Sequence, residues 1–250
     1  MSPTNSSRPA AGSASRWRGS RWKPSTRINA WPTAGGSREP SRVVAADRLS
    51  RSDAELCVGI VSIQGAVQAH AAAITRAGAA WAPVRHPEDL DGLDALILPG
   101  GESTTIAKGL ERVGLYEALE AFAKSGRPVL GTCAGAILMA REVEGIPVRC
   151  LGLIDAIAVR NAYGTQVDSF ATVAQGELEG LRAIFIRAPR LKQPGPDLEV
   201  LARVDGWPVF VRQRNALATT FHPELTLDGR VHAALLELAQ KRQIEECGPS

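Results

Sequence analysis

Short apolar segments alternate with segments of helical periodicity from residue 57 to residue 145. The apolar segments are rich in Val, Ile and Leu, which is typical of strands buried on both faces of a sheet. The first helical segment ends at Gly78, a residue type that commonly terminates helices. A repeated strand–helix–strand order favours right-handed crossovers and a parallel sheet covered by helices on both sides. The sequence therefore predicts an α/β domain with three layers, a mostly parallel sheet and a flavodoxin-like arrangement.

The predicted elements extend almost to the end of the chain. Strands are predicted for CVGIVSI (57–63), LDALILPGG (93–101) and RPVLGTC (127–133), and helical segments for 67–78, 103–108, 115–125 and 134–145. The second half is richer in strands, predicted at 151–159, 183–188, 198–204, 207–213 and 216–221, before a last helix over about 230–243. We assign the domain to residues 56–243 and a C-terminal tail to residues 244–250.

Residues 1–55 differ from this domain in composition, being rich in Ser, Arg, Pro and Gly without a helical or strand period. Such a segment buries too little apolar surface to offset its ordering entropy, so we expect it to be disordered. It lacks the apolar core of a secretory signal, and its Pro and Gly residues break the helix of a transit peptide. A mis-assigned start is the alternative, with translation beginning near Val43, Val44 or Leu49.

Charge and cysteine content exclude several classes of protein. Residues 1–50 hold nine Lys or Arg and two acidic residues, whereas the other 200 residues hold 20 basic and 24 acidic ones. The predicted domain is thus mildly acidic, and nothing in it indicates nucleic-acid binding. The four cysteines lie far apart without a CxxC pair, which argues against a zinc ribbon or disulfide scaffold and fits a cytoplasmic protein. Because no apolar run approaches the roughly 18 residues of a membrane helix, we expect a soluble protein.

Cys133 lies in GTCAGA, where an apolar strand runs directly into a helix. That corner falls at the carboxyl edge of the predicted sheet, where doubly wound folds bind ligands. Gly131 and Gly135 give the spacing of a nucleophile elbow, with cysteine in place of serine. The N-terminus of the following helix favours a thiolate at this position. A small buried residue in a close-packed turn is the alternative interpretation, but the pattern favours a nucleophile.

A thiol nucleophile requires a base and a group that orients the base. His222 lies in TTFHPEL, where Pro223 favours an extended conformation for the residue before it. Residues two apart in extended chain project to the same side, so Glu224 is predicted beside the imidazole. The same tripeptide is also typical of a plain polar turn after a strand. The remaining histidines fall in predicted helices or a loop: His70, His86 and His232.

The segment ILPGGESTT places Gly100 and Gly101 directly after a buried strand. Their backbone freedom allows N–H groups to point at a developing oxyanion. We expect Ser103 and Thr104 to cap the next helix, although an ordinary strand-to-helix loop explains the two glycines equally well. Arg160 and Arg187 each follow a strand-like segment and are placed to reach the same sheet edge. The alternative interpretation is that each is an ordinary arginine on the surface.

Together these motifs resemble those of the class I, or triad, glutamine amidotransferases over about residues 57–241. Among them the chain is similar to the glutaminase subunits of pyridoxal 5′-phosphate synthases. The motifs that carry the resemblance are IQGAVQAH, LPGGESTT, GTCAG, LGLIDAIAVRNAYGTQVDSF, FIRAP and TTFHPELTLDGRVH.

The resemblance implies hydrolysis of L-glutamine to L-glutamate and ammonia through a cysteine thioester, with no cofactor and no metal. Cys133 would attack the carboxamide, His222 would move protons and Glu224 would orient His222. The Gly101 region would hold the oxyanion, and Gln64 would lie near a partner interface. The resemblance further implies these glutamine-binding residues: Gly101, Glu102, Ser103, Arg160, Ile186 and Arg187.

The resemblance also implies a partner, a synthase subunit that receives the ammonia and forms the vitamin B6 cofactor from a pentose phosphate and a triose phosphate. The two subunits would form a hetero-oligomer with a dodecamer of each. Thr165 stands where the family often has arginine and Ala171 where it usually has an acidic residue, and both departures concern tuning or partner contacts. Two alternatives remain: the glutaminase subunit of another amidotransferase, such as the histidine-biosynthesis one, and a non-catalytic regulatory protein with the same fold.

Overall fold

The computed structural model describes residues 55–145, 147–160, 169–178 and 180–247. The predicted N-terminal extension up to residue 54, Thr165 with the centre of the RNAYGTQVDSF motif, and residues 248–250 of the predicted tail lie outside the described residues. The helices are α1 (Val67–Arg76), α2 (Ser103–Arg112), α3 (Leu115–Lys124), α4 (Ala134–Met139) and α5 (Arg230–Cys247). The strands are β1 (Cys57–Val61), β2 (Ala80–Val84), β3 (Ala95–Leu98), β4 (Val129–Thr132), β5 (Ala140–Glu144), β6 (Ile154–Val159), β7 (Phe170–Gly176), β8 (Leu181–Phe185), β9 (Arg190–Lys192), β10 (Glu199–Val204), β11 (Trp207–Gln213) and β12 (Ala216–Thr219).

A nine-stranded sheet in the order β2-β1-β3-β4-β12-β11-β10-β7-β8 forms the centre of the domain. Its first five strands are parallel to one another, and their order is that of a flavodoxin-like sheet. The last four strands continue the sheet by antiparallel pairing. A second sheet of three strands has the order β5-β6-β9. The predicted α/β class with a parallel core is confirmed.

The parallel strands are buried on both faces, as their continuous apolar sequences predict. All four residues of β3 are buried, and successive side chains point to opposite sides of the sheet. Leu96 and Leu98 join an apolar core cluster to which α2, α3 and α4 contribute. Ala95 and Ile97 are equally buried but lie outside that cluster, on the opposite side of the sheet. On that opposite side, α1 contacts β1 and β2, and α5 contacts β3, so helices cover both faces of the sheet.

The structure differs from the prediction at two places between β1 and β5: one strand was missed and one helix ends earlier. Strand β2 was not predicted, because Pro83 interrupts its apolar pattern. Pro83 is tolerated because β2 is an edge strand that pairs with β1 alone within the nine-stranded sheet. The helix predicted over 134–145 ends at Met139, and the chain continues as β5. The sequence AREVE suits a helix as well as a strand, and its pairing with β6 decides for the strand.

In the second half, β7 and β9 were also not predicted, since β9 has only three residues and the sequence of β7 alternates weakly between apolar and polar residues. Helix α5 runs to Cys247, beyond the predicted end near Gln243.

Among the described residues, no helix combines the length and the apolar character that crossing a membrane demands.

Candidate active site

Cys133 occupies the corner between β4 and α4 and is 6% exposed. Its backbone has φ of 49° and ψ of −102°, an unusual conformation for a residue with a side chain. Holding such a conformation costs about 1–3 kcal/mol, which the surrounding structure must offset. The Cys133 N–H donates to the carbonyl of Thr219 at 2.8 Å and ties the corner to β12. The geometry is that of a nucleophile elbow.

The two glycines that flank Cys133 are required by close packing. A Cβ atom at Gly135 would overlap the carbonyl oxygen of Leu98, the last residue of β3. A Cβ atom at Gly131 would lie 2.7 Å from the carbonyl carbon of Gly135. The G-x-C-x-G spacing thus allows α4 to begin directly against the sheet, with Cys133 at its carboxyl edge.

His222 lies three residues after the end of β12, in contact with Cys133. Its backbone N–H donates to the carbonyl of Ile184 at 2.8 Å, which anchors it to β8. Its side-chain Nδ1–H donates to Oε1 of Glu224 at 2.7 Å. Glu224 lies in a single 3₁₀ turn, Pro223–Leu225, so it reaches His222 through that turn and not through the extended chain that the sequence predicted.

The electrostatics of this group favour a charged imidazole beside a carboxylate. Burial opposes charge on His222, but its hydrogen bonds to Cys133 and Glu224 outweigh burial and raise the pKa of His222 to about 10. Burial likewise opposes charge on Glu224, yet the hydrogen bond from His222 and the proximity of His70 keep its pKa below the usual value. At neutral pH the site therefore holds a protonated His222 against an ionised Glu224, and this imidazolium contacts the sulfur.

The loop after β3 approaches this group closely. A Cβ atom at Gly100 would lie 3.0 Å from Nδ1 of His222 and 3.3 Å from Cβ of Cys133. The Gly100 N–H donates to the hydroxyl of Thr132 at 3.0 Å, so it is not available to an oxyanion. Of the two glycine N–H groups predicted for this role, only that of Gly101 remains a candidate.

A second candidate oxyanion donor, the N–H of Ala134, was missed by the sequence reasoning. Ala134 is the first residue of α4, and the N–H groups of a first helical turn have no acceptor within the helix. In a nucleophile elbow, the N–H of the residue after the nucleophile points at the developing oxyanion. Its position directly after Cys133 was the signal that could have identified it.

Glu102, and not Ser103 or Thr104, caps α2, so the predicted cap is wrong. The Glu102 carboxylate accepts the N–H groups of Thr104 and Thr105 at 3.1 and 2.7 Å. Hydrogen bonds, that from the Thr104 hydroxyl first, outweigh desolvation and lower the pKa of Glu102 to about 2. Ser103 is instead the first residue of the helix and is buried. A long carboxylate replaces the usual short cap because it also binds Arg160, whose Nη2 donates to Oε1 at 3.0 Å.

The remaining predicted residues lie at two places around the site. The carbonyl oxygen of Ile186 is 3.9 Å from Sγ of Cys133. Arg187 follows in a left-handed conformation with φ of 46°, and its side chain is exposed. Gln64 is exposed on the loop between β1 and α1, where its Oε1 accepts the Glu102 N–H at 2.9 Å. The structure thus joins Gln64, Glu102 and Arg160 into one polar edge beside the cysteine.

A buried nucleophile, a proton carrier, a carboxylate and backbone N–H donors are the groups needed for acyl transfer. Within the described part of the chain, no cluster of three or more His, Cys, Asp or Glu side chains is arranged to hold a metal ion.

The sequence reasoning also missed His70, which faces Glu224 from α1, because helical periodicity marks it only as a core position.

Comparison with known proteins gives the same class of chemistry. The model of the SNO glutamine amidotransferase family matches residues 60–241. The pyridoxal 5′-phosphate synthase subunit PdxT of Fervidobacterium nodosum is 45% identical over 188 residues, which are 74% of this chain and 98% of that protein. The PdxT of Listeria monocytogenes serotype 4a is 48% identical over 183 residues, 72% of this chain and 97% of the relative.

Solved structures show the same fold. A crystal structure of a glutamine amidotransferase superimposes with a TM-score of 0.70 at 45% identity and covers 73% of this chain and 98% of its own. A structure of PurLQS from Thermotoga maritima gives a TM-score of 0.56 at 15% identity, covering 76% of this chain and 100% of its own. The second likeness concerns the fold alone.

Proposed function

The chain belongs to the SNO glutamine amidotransferase family, and from this membership we propose that it is the glutaminase subunit of a pyridoxal 5′-phosphate synthase. It hydrolyses L-glutamine to L-glutamate and ammonia and delivers the ammonia to the synthase subunit. Relatives named as PdxT are matched over almost their whole length at 44–48% identity, which supports this specific subunit over other amidotransferases. The observation that carries the chemistry is the contact of Cys133 with His222, which is hydrogen-bonded to Glu224.

In the proposed reaction, Cys133 as a thiolate beside the protonated His222 attacks the carboxamide carbon of glutamine. The carbonyl oxygen becomes an oxyanion that accepts the N–H groups of Gly101 and Ala134. His222 gives a proton to the departing nitrogen, the C–N bond breaks, and ammonia leaves a glutamyl thioester. Water then attacks the thioester while His222 accepts its proton, and the C–S bond breaks to release glutamate and restore the thiolate beside a protonated His222.

For glutamine binding we propose Gly101, Glu102, Ser103, Arg160, Ile186 and Arg187. Two buried polar atoms support this set, because Nη1 of Arg160 and Oγ of Ser103 have no hydrogen-bond partner among the described residues. A guanidinium nitrogen in that state suits the α-carboxylate of the substrate. Since the Glu102 carboxylate already caps α2 and binds Arg160, its contribution is to hold Arg160 in position.

The proposed partner is the synthase subunit, in a hetero-oligomer with a dodecamer of each chain, and Gln64 belongs to the proposed interface. The exposure of Gln64 beside Glu102 supports this, because a protein bound there would contact the loop that carries Gly101.

The test is glutamate release by the purified chain, measured with and without the synthase subunit of the same organism. We expect strong stimulation by the partner and formation of pyridoxal 5′-phosphate from glutamine. The Cys133→Ala variant is the matched control, which should bind the partner and release no glutamate. Glutamate release that is indifferent to the synthase subunit would refute the proposed partner, and full activity of Cys133→Ala would refute the proposed chemistry.

A further inference from the structure

Behind the cysteine site, a second group of polar side chains is completely buried. It consists of Thr132 on β4, His70 on α1 and His232 on α5, with exposed fractions of 0%, 0% and 1%. None of these side chains is used by the reaction proposed above. Burying two imidazoles is costly unless they are hydrogen-bonded, so their retention requires a physical reason.

His70 is the centre of this group. Its Nδ1 lies 3.0 Å from Nε2 of His232, and its Nε2 lies 3.1 Å from the hydroxyl of Thr132. The same Nε2 faces Oε2 of Glu224 at 3.5 Å. This carboxylate oxygen is the one that does not bind His222, and it is buried without a hydrogen bond among the described residues.

The positions of the protons follow from the surroundings. If His232 donates through Nε2, His70 carries its proton on Nε2 and directs it at Thr132 and Glu224. The opposite direction would put a proton on Nδ1 of His232, a buried atom without a partner among the described residues. It would also direct a lone pair of His70 at the Glu224 carboxylate. Since a buried N–H without an acceptor is the rarer defect, the first arrangement is favoured.

Both imidazoles are neutral at neutral pH. Burial lowers the pKa of His70, against an opposing effect of Glu224 and with a further lowering by His222. Burial also lowers the pKa of His232 to about 3, together with His70 and Arg76 and against Glu224. His70 therefore acts on Glu224 through the dipole of a directed N–H, and not as a second positive charge that would compete with His222.

From this geometry we infer that His70, oriented by His232, is a positioning residue for the glutaminase reaction. Its Nε2–H donates to the Thr132 hydroxyl, which accepts the Gly100 N–H, and its dipole also faces, at 3.5 Å, the Glu224 oxygen that does not bind His222. One imidazole thereby fixes the proton carrier and the glycine loop relative to each other. This inference rests on the proposed function, because it assigns a role within that reaction.

The experiment compares His70→Leu, which removes both ring nitrogens, with His70→Gln, which keeps an N–H donor. Glutamate release is measured in the complex with the synthase subunit. We expect kcat of His70→Leu to fall by about 10-fold with little change in KM, since the N–H dipole that faces the charged Glu224 and the hydrogen bond to Thr132 are both lost. His70→Gln should recover most of the loss, and His232→Leu should add nothing to the defect of His70→Leu.

Two further measurements distinguish a positioning role of His70 from a purely structural one. Ile74→Ala removes a fully buried side chain from the same helix and serves as a control for lost stability. The pH profile of kcat/KM should move its acid limb to higher pH in His70→Leu but not in Ile74→Ala, because Glu224 loses the neighbour that helps to keep its pKa low. Equal kcat losses in both variants at equal melting temperature, with an unmoved acid limb, would overturn the inference.

The pH dependence of Cys133 alkylation, followed by mass spectrometry of its peptide, is independent of glutaminase activity. We expect the acid limb of alkylation to move upward in His70→Leu as well. If the wild-type complex releases no glutamate but the acid limb of Cys133 alkylation still lies at higher pH in His70→Leu than in the wild type, the proposed function is refuted and the positioning role is supported. If the wild-type complex is active but the acid limb of Cys133 alkylation lies at the same pH in His70→Leu and in the wild type, the positioning role alone is refuted.

Discussion

Nδ1 of His222 donates to Oε1 of Glu224 at 2.7 Å, and both side chains are almost completely buried. The carboxylate thereby fixes the tautomer of the imidazole and directs its other nitrogen at Cys133. The two residues are separated by Pro223 alone, so a single turn of chain supplies both the proposed proton carrier and the carboxylate bound to it.

Glu224→Gln is expected to lower kcat for glutamine hydrolysis by at least about 100-fold, because an amide can stabilise neither the tautomer nor the charged imidazole. Glutamate release in the synthase complex measures the change, and a thermal melt serves as the control for folding. Retention of more than about a tenth of the wild-type kcat would contradict the assigned role.

The raised pKa of His222 predicts a pH dependence of stability. A pKa of about 10 in the folded protein, against an ordinary value of 6.5, means that folding is favoured by protonation of His222. This contribution is complete below about pH 6.5 and is lost as the pH rises through about 10. Urea unfolding of the wild type and of His222→Asn should therefore give curves of stability against pH that converge between about pH 7 and 10. Parallel curves over that range would exclude the proposed ion pair.

Gly100→Ala and Gly135→Ala are expected to fail for different reasons. A Cβ at Gly100 meets the imidazole of His222, a side chain that can move, so we expect a folded protein with kcat reduced by about 100-fold. A Cβ at Gly135 meets the backbone oxygen of Leu98, which cannot move without disturbing β3, so we expect loss of the folded state. Circular dichroism and glutamate release distinguish the two outcomes, and wild-type kcat in Gly100→Ala would disprove the close approach.

Glu102→Ala removes the cap of α2 and the partner of Arg160. We expect a loss of about 1 kcal/mol in the free energy of unfolding and an increase in KM for glutamine, because Arg160 is no longer held. Because the pKa of Glu102 is lowered to about 2, this stabilisation is present above about pH 4.5 and is lost as the pH falls through 2. Solvent screening reduces its size, since Glu102 is partly exposed. Glu111→Ala, an exposed change in the same helix, is the control, and an equal KM in both variants would contradict the role of Glu102.

Local sequence determined the elements whose conformation depends on neighbouring residues. The strand, corner and helix from Val129 to Met139 follow from an apolar run, two glycines and a short helical segment, and they place Cys133 as predicted. The adjacency of His222 and Glu224 was also predicted from the residues around Pro223, although a 3₁₀ turn produces it and not the predicted extended chain. These signals are local because each depends on the backbone preferences of a few consecutive residues.

Tertiary structure decided what depends on partners distant in the chain. Pro83 is acceptable in β2 only because that strand lies at an edge, and AREVE becomes a strand only because β6 lies beside it. His70 and His232 are 162 residues apart, and periodicity marks both merely as helical core positions. Their meeting behind Glu224 results from the packing of α1 and α5 on the sheet. Local pattern therefore indicated the proposed reacting groups, whereas the side chains that surround them emerged only from contacts across the fold.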